Sequence, residues 1–239
     1  MSTLFISDLH LCASRPQITA AFEAFLDGPA RDAAALYILG DLFEYWAGDD
    51  DLGDAFNARI ATALAGYGKA VPTFLMHGNR DFLIGPGFTR AAGATLIADP
   101  LLIDIEGRPT LLMHGDTLCT DDLDYQRFRS EVRSPEWAAT FLATPLAERK
   151  QRIEVMRTRS EALKQVKSAA IMDVNADAVE AMFQRFGCDR LIHGHTHRPA
   201  RHDHIVDGRH CERLVLADWY ESGSHLACDA AGCTAAASR

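Results

Sequence analysis

Short apolar runs alternate with amphipathic stretches along the first half of the chain, and each run stops at a polar cluster. Thr3–Ser7 reads as a buried strand ending in Asp8-Leu9-His10. Ser14 and Pro16 read as a helix start, with a capping hydroxyl first and proline in the first turn. Ile18, Ala21, Phe22, Phe25 and Leu26 then share one helical face. Leu36–Leu39 is a second strand closing on Gly40-Asp41, and Phe56, Ile60, Leu64 and Tyr67 mark a second helix. Thr73–Met76 is a third strand, closing on His77-Gly78-Asn79-Arg80-Asp81. The order predicts β-α-β-α-β with polar residues at each strand's carboxyl end, where open α/β sheets place their sites.

The pattern then changes. Thr95–Ile97 adds a strand, and Leu101–Ile105 and Thr110–Met113 flank Glu106-Gly107-Arg108-Pro109 as a hairpin ending in His114-Gly115-Asp116. From Asp121 to Ile171 the periodicity is helical, with stripes of Phe128 and Val132, Trp137 and Phe141, then Ile153, Met156, Leu163 and Val166. Pro135 and Pro145 mark breaks between these helices. Val174–Phe186 reads as another helix, and Asp189–Ile192 as a strand leading into Leu-Ile-His-Gly-His-Thr-His-Arg-Pro at 191–199. His204–Val206, Arg213–Ala217 and His225–Cys228 read as closing strands, with Asp207-Gly208 a turn; Ala235–Arg239 is expected to fray. The expected organisation is an α/β core at 1–120 and 172–239, interrupted by a helical insertion at 121–171 that covers the strand ends.

Composition narrows the function classes. With 239 residues and 48% hydrophobic content, the chain can bury one substantial core. A formal net charge of −9 makes it a poor nucleic-acid binder, since phosphate contacts need clustered Lys and Arg. Asp8 and His10 interrupt the first apolar run and no basic segment precedes it, so no signal peptide is expected. No uncharged apolar run reaches ~18 residues, so no membrane span is expected either. The expectation is a cytoplasmic protein that can still touch a membrane surface. Cys12, Cys119, Cys188, Cys211, Cys228 and Cys233 form no Cys-x-x-Cys pair and read as reduced thiols. A zinc cluster of Cys211, Cys228 and Cys233 with nearby histidines matches no standard structural spacing.

Candidate chemistry gathers at the strand ends. Asp8, His10, Asp41, Asn79, His114, His195 and His197 offer two carboxylates, one amide oxygen and four imidazoles. Any one of them alone is more simply a turn or a cap. Seven of them in five separate motifs, each after an apolar strand, suit two adjacent divalent ions that activate water for phosphoryl displacement. Gly194 lets the backbone pass close to whatever the imidazoles hold. His193 is expected to be a supporting group rather than a ligand.

These motifs, Asp8-x-His10, Gly40-Asp41, Gly78-Asn79, His114 with Gly115-Asp116, and Gly194-His195-x-His197, resemble those of the calcineurin-like metallophosphoesterase superfamily. The resemblance implies an αββα sandwich around a dinuclear site. Asp8, His10 and His197 would hold one ion, Asn79, His114 and His195 the other, and Asp41 would bridge. The donor set permits Mn, Fe, Co or Zn. Members of that superfamily usually carry His after the Gly-Asn pair, which helps to protonate a leaving alkoxide. Here Arg80 stands in its place, and it offers a planar fork for phosphate but no proton at neutral pH. That favours a phosphate leaving group, and hence a diphosphate bond.

Gly40–Asp50 and Gly-Asn-Arg-Asp-Phe at 78–82 resemble the UDP-2,3-diacylglucosamine pyrophosphatase family of lipid A biosynthesis. That resemblance implies water attack at the α-phosphorus, giving UMP and 2,3-diacylglucosamine 1-phosphate, with two Mn²⁺ ions, at the cytoplasmic face of the inner membrane. Asp41, Asn79, Arg80 and His195 would carry the chemistry. Asn79, Arg80, Asp122, Arg157, Ser160, Lys164, Lys167 and His195 would contact substrate. Arg157, Ser160, Lys164 and Lys167 share one helix face beside the apolar stripe of the insertion, which suits a lipid with a phosphorylated head. Two other readings are a soluble phosphodiesterase or dinucleotide pyrophosphatase of the same superfamily, and a non-catalytic interaction scaffold. The first would act equally on substrates without acyl chains; the second is expected to have lost ligands.

Overall fold

Alternation along the strands sorts the apolar side chains into three cores. In the computed structural model, which describes residues 1–166, 171–221 and 223–238, with side chains for 1–158, 171–221 and 223–237, β1 (Thr3–Ile6), α1 (Pro16–Asp27), β2 (Ala35–Leu39), α2 (Ala55–Tyr67) and β3 (Thr73–Met76) follow the expected order. Next come α3 (Pro86–Ala92), β4 (Thr95–Ile97), β5 (Leu101–Ile105) and β6 (Arg108–Met113). Three helices, α4 (Leu123–Val132), α5 (Pro135–Leu142) and α6 (Leu146–Val166), separate these from α7 (Ala176–Phe186) and β7 (Arg190–His193). The chain ends in β8 (Ala200–Val206), β9 (Arg209–Val215), β10 (Gly223–Asp229) and β11 (Gly232–Ser238).

One sheet has the order β11-β10-β1-β2-β3-β4 and the other β5-β6-β7-β9-β8. The neighbours β1, β2, β3 and β4 run parallel, as do β6, β7 and β9, so their carboxyl ends share one edge. Because side chains alternate with period two, Leu4, Ile6, Leu36, Ile38 and Leu75 face α1 and α2, packing on Phe22, Phe25, Ile60 and Leu64. Phe5, Leu39 and Met76 point the other way and meet Leu112, Ile192 and Leu214 of the second sheet. Leu111, Met113 and Leu191 face outward onto Val179 and Phe183 of α7. The result is four layers, α-β-β-α. Phe141 of α5 and Ile153 of α6 join the first core, with Trp137 and Met156 packed against it, so the three-helix segment rests on the α1–α3 side.

Local chemistry explains most boundaries. Asp54 caps α2 by accepting from Phe56 N and Asn57 N, Ser134 caps α5 with Pro135 in its first turn, and Asn175 caps α7. Glu106 and Gly107 both take left-handed backbone between β5 and β6, as do Asp207 and Gly208 between β8 and β9, the requirement of a two-residue hairpin.

Four expectations are corrected. Ser14 does not cap α1: its hydroxyl lies 3.2 Å from Cys12 Sγ, and Arg15 occupies the cap position. Helix α7 starts after Asn175 rather than at Val174, because the Asn175 side chain takes the cap. Residues 235–238 are not loose ends but part of β11, which pairs with β10 along its whole length; Arg239 lies outside the described residues. Cys228 and Cys233 are not free thiols. The hairpin register sets them opposite each other with Cα atoms 4.1 Å apart, and they form a disulfide. Cys211 belongs to the core beneath α7, away from them, which removes the zinc alternative.

Candidate metal centre

Seven side chains from five loops converge where β1, β2, β3, β6 and β7 end. Asp8, His10, Asp41, His195 and His197 all have left-handed backbone, with φ between 50° and 67°. Non-glycine residues seldom adopt it, and each carries a cost of about 1–3 kcal/mol that the surrounding packing must offset. The strain turns each side chain sharply off its strand into a common centre. Glycines make room: a Cβ on Gly194 would lie 2.2 Å from Asp8 Oδ2, and one on Gly78 2.0 Å from Asp41 Oδ1.

The centre has two lobes. In one, His197 Nε2 lies 3.3 Å from Asp8 Oδ1 and 3.4 Å from His10 Nε2. In the other, Asn79 Oδ1 lies 3.0 Å from His114 Nε2 and 2.9 Å from His195 Nδ1. Asp41 stands between them, with Oδ2 3.8 Å from His10 Nε2 and Oδ1 3.8 Å from His114 Nε2. Asp8, His10 and His197, and also Asp8, Asp41 and His114, are spaced to hold a metal ion.

Outer partners orient the rings. His114 Nδ1 donates to the Leu39 carbonyl at 2.9 Å, and His197 Nδ1 to Asp218 Oδ2 at 3.1 Å, leaving each Nε2 to face the centre. Asp81, fully buried, accepts from Leu42 N and Gly78 N at 2.8 Å and so ties the Asp41 and Asn79 turns together. Ser7 Oγ and the His195 amide both donate to Asp8 Oδ2.

The electrostatics fit a divalent cation. Asp8 is fully buried, and its Oδ1 faces His197 Nε2 at 3.3 Å without accepting a hydrogen bond; His10 Nδ1 is likewise buried, 3.8 Å from Glu44 Oε2 and without a hydrogen bond. A buried charged oxygen left this way is costly unless a cation satisfies it. Burial raises Asp41 to about 7, aided by the charges of Asp81 and Asp8. Burial pushes His114 down, but Asp41, Asp116 and Asp8 outweigh it and raise the imidazole to about 9. His197 reaches about 9 in the same way: Asp218 and Asp8 overcome its burial. Burial, aided by the charges of His197, Arg80 and Arg15, holds His10 well below its usual value, against the pull of Asp8. Carboxylate, imidazole and amide donors together suit Mn, Fe, Co or Zn.

A cavity of about 770 Å³ opens from the centre. His10, Asp41, Asn79, Arg80, His195 and His197 line one end; Phe82, Phe128, Trp137, Phe141, Ile153 and Met156 line the other. Arg80 and Arg157 also line the cavity, beside Glu44: Arg157 Nη2 donates to Glu44 Oε1 at 2.9 Å, and Arg80 Nη1 lies 4.0 Å from it. Asp122 sits on the wall and caps α4 through Tyr125 N. Lys167 lies outside the described residues, as do the side chains of Ser160 and Lys164. His193 is buried behind the centre, accepts from Arg213 Nη1 at 3.1 Å and donates to the Gly194 carbonyl, so it stays out of both lobes.

Four contributors carry no role in the sequence expectations. Glu44, Asp81 and Asp116 lie inside runs already singled out, at 40–50, 78–82 and 114–116. Asp116 accepts from Tyr125 Oη and Arg129 Nε at 2.7 Å, fixing α4 to the turn after His114. Asp218 follows β9 and carries no local signal.

Comparison with known proteins gives the family. The profile of the calcineurin-like phosphoesterase family matches residues 1–199. The UDP-2,3-diacylglucosamine hydrolase of Aromatoleum aromaticum is 57% identical over 233 residues, 97% of this chain and 95% of that protein. Those of Cellvibrio japonicus and Stenotrophomonas maltophilia are 53% and 50% identical, each over 97% of this chain, and over 97% and 96% of their own length. The chain therefore belongs to the calcineurin-like phosphoesterases and, within them, to the family of UDP-2,3-diacylglucosamine hydrolases.

Proposed function

We propose that this chain hydrolyses the diphosphate bond of UDP-2,3-diacylglucosamine at the α-phosphorus, releasing UMP and 2,3-diacylglucosamine 1-phosphate for lipid A synthesis. The observation that carries the proposal is the single cavity that runs from the ligand cluster to an aromatic chamber. A soluble nucleotide has no use for that chamber, and a lipid without phosphates has no use for the cluster.

Asp8, His10 and His197 would hold one ion, Asn79, His114 and His195 the other, and Asp41, with one oxygen toward each lobe, would serve both. Two divalent ions bound there, Mn²⁺ in our reading, supply an activated water and neutralise charge on the phosphoryl oxygens. Arg80 binds the oxygens of the leaving phosphate with its fork and needs to donate no proton, because a sugar phosphate departs as an anion. His195 and Asn79 orient the reacting phosphoryl group. Arg157, Asp122, Ser160, Lys164 and Lys167 would contact the acylated sugar, as the family resemblance implies. The segment 121–171 acts as a cap, and the acyl chains lie between it and the core.

Among the described residues no helix is long and apolar enough to cross a membrane. Access to a lipid substrate supports peripheral association with the cytoplasmic face of the inner membrane. The test is product identity: purified protein with Mn²⁺ releases UMP from UDP-2,3-diacylglucosamine. Release of UDP instead would sink the assigned bond.

A further inference from the structure

The nucleoside half of the substrate has no place in the chamber. Resting on the proposed hydrolysis, the acylated sugar phosphate fills the cavity and the α-phosphorus sits at the ligand cluster. Phe82, Phe128, Trp137, Phe141, Ile153 and Met156 on the chamber walls suit acyl chains, and the acylated sugar that occupies the chamber leaves the nucleoside to the other side of the cluster. The nucleoside therefore leaves the cluster on the side away from α4–α6.

Two tyrosine rings touch the cluster, and they differ. Tyr125 stacks on His195, lines the chamber, and commits its hydroxyl to Asp116 at 2.7 Å. Tyr220 lies outside the residues that line the chamber and is 44% exposed. Its ring stacks on His10, with centroids 5.3 Å apart and planes at 15°, and stands 5.5 Å from His197. The Arg15 guanidinium carbon lies 4.9 Å from the Tyr220 centroid. Arg15 is not free to swing away: it donates to Glu44 Oε2 at 2.5 Å and to the His10 carbonyl. A half-exposed phenol ring beside a fixed guanidinium, next to the imidazoles that face the α-phosphorus, is what a flat nucleobase stacks on.

We infer that Tyr220, with Arg15 against its ring, is the platform on which the pyrimidine base of the nucleotide half stacks. Base–aromatic stacking tolerates different bases, so the platform contributes affinity rather than a choice among pyrimidines.

The experiment titrates UMP, and separately inorganic phosphate, into the Mn²⁺-loaded full chain by calorimetry, for wild type, Tyr220→Ala and Tyr220→Phe. Tyr220→Ala weakens UMP binding about tenfold or more, the range expected for one lost stack. Phosphate binding stays as in wild type, and Tyr220→Phe, which keeps the ring, binds UMP as wild type does. Unchanged UMP binding in Tyr220→Ala overturns the inference. Equal loss of UMP and phosphate binding also overturns it, because Tyr220 would then only prop His10. Direct UMP binding is independent of lipid turnover: a wild type that binds UMP but leaves the lipid intact breaks the proposed reaction, not the platform.

Discussion

Glu44 and Arg157 are joined by a hydrogen bond of 2.9 Å from Nη2 to Oε1, across 113 positions of sequence. Glu44 follows β2 in the core, and Arg157 stands on α6 over the cavity. The same carboxylate accepts from Arg15 and lies 4.0 Å from Arg80. One buried carboxylate therefore gathers three guanidiniums, two of which line the cavity. Glu44→Ala should lower kcat/KM by about 10- to 100-fold, roughly 1.4–2.8 kcal/mol of transition-state stabilisation. Metal content measured on the same preparation should remain at the wild-type value.

Asp41 faces both lobes, so Asp41→Ala should remove both ions, not one, and leave no measurable turnover. Elemental analysis after gel filtration checks the stoichiometry. One ion retained in the variant would contradict a shared ligand.

The glycine at the close approach gives a separate test. An alanine Cβ at position 194 would come within 2.2 Å of both Asp8 Oδ2 and Ser7 Oγ. Gly194→Ala should push Asp8 out of line and weaken metal binding at least tenfold, the loss typical of disturbed ligand orientation. Far-UV circular dichroism should be unchanged, because the four-layer core lies behind this turn.

Proton competition sets the pH dependence of metal binding. His114 and His197 are raised to about 9 in the metal-free protein, and Asp41 to about 7. The two histidines' folded values exceed the ordinary one of about 6.5, so their ion-pair stabilisation is complete below that pH and fades as pH rises through 9. All three groups must lose their protons to ligate, and their release favours binding as pH rises. Apparent metal affinity should climb between pH 6.5 and about 9. Calorimetry in buffers of different ionisation enthalpy should show net proton release at neutral pH.

Much of this was legible in the sequence, and for physical reasons. β1, β2 and β3 are buried on both faces, so they appear as continuous apolar runs, and the clustered polar residues follow because parallel strands expose their carboxyl ends. The helix breaks at Pro135 and Pro145 were equally plain. Ser14 misled because a hydroxyl near a proline carries no information about which neighbour it will bond. The Cys228–Cys233 pair and β11 were missed because register, not composition, sets two cysteines opposite each other. Asp218 and Glu44 act through contacts far apart in sequence, and no local pattern announces them.

The chamber predicts a dependence on chain length. Trp137 stacks on Phe141 at 4.6 Å and approaches Phe82 at 6.1 Å, forming a wall of the apolar end. Trp137→Ala should raise KM for the diacyl substrate about tenfold, and the penalty should shrink as the acyl chains are shortened, at ~0.8 kcal/mol for each methylene no longer buried. A penalty independent of chain length would place the acyl chains elsewhere.

The most direct measurement is the position of solvent oxygen after turnover. UDP-2,3-diacylglucosamine is hydrolysed in ¹⁸O-water with Mn²⁺, and both phosphate products are examined by mass spectrometry. Attack at the α-phosphorus puts one ¹⁸O in UMP and none in 2,3-diacylglucosamine 1-phosphate, which is the expected result. Label in the lipid phosphate, with unlabelled UMP, would contradict the geometry proposed for the cluster, the chamber and Arg80 together.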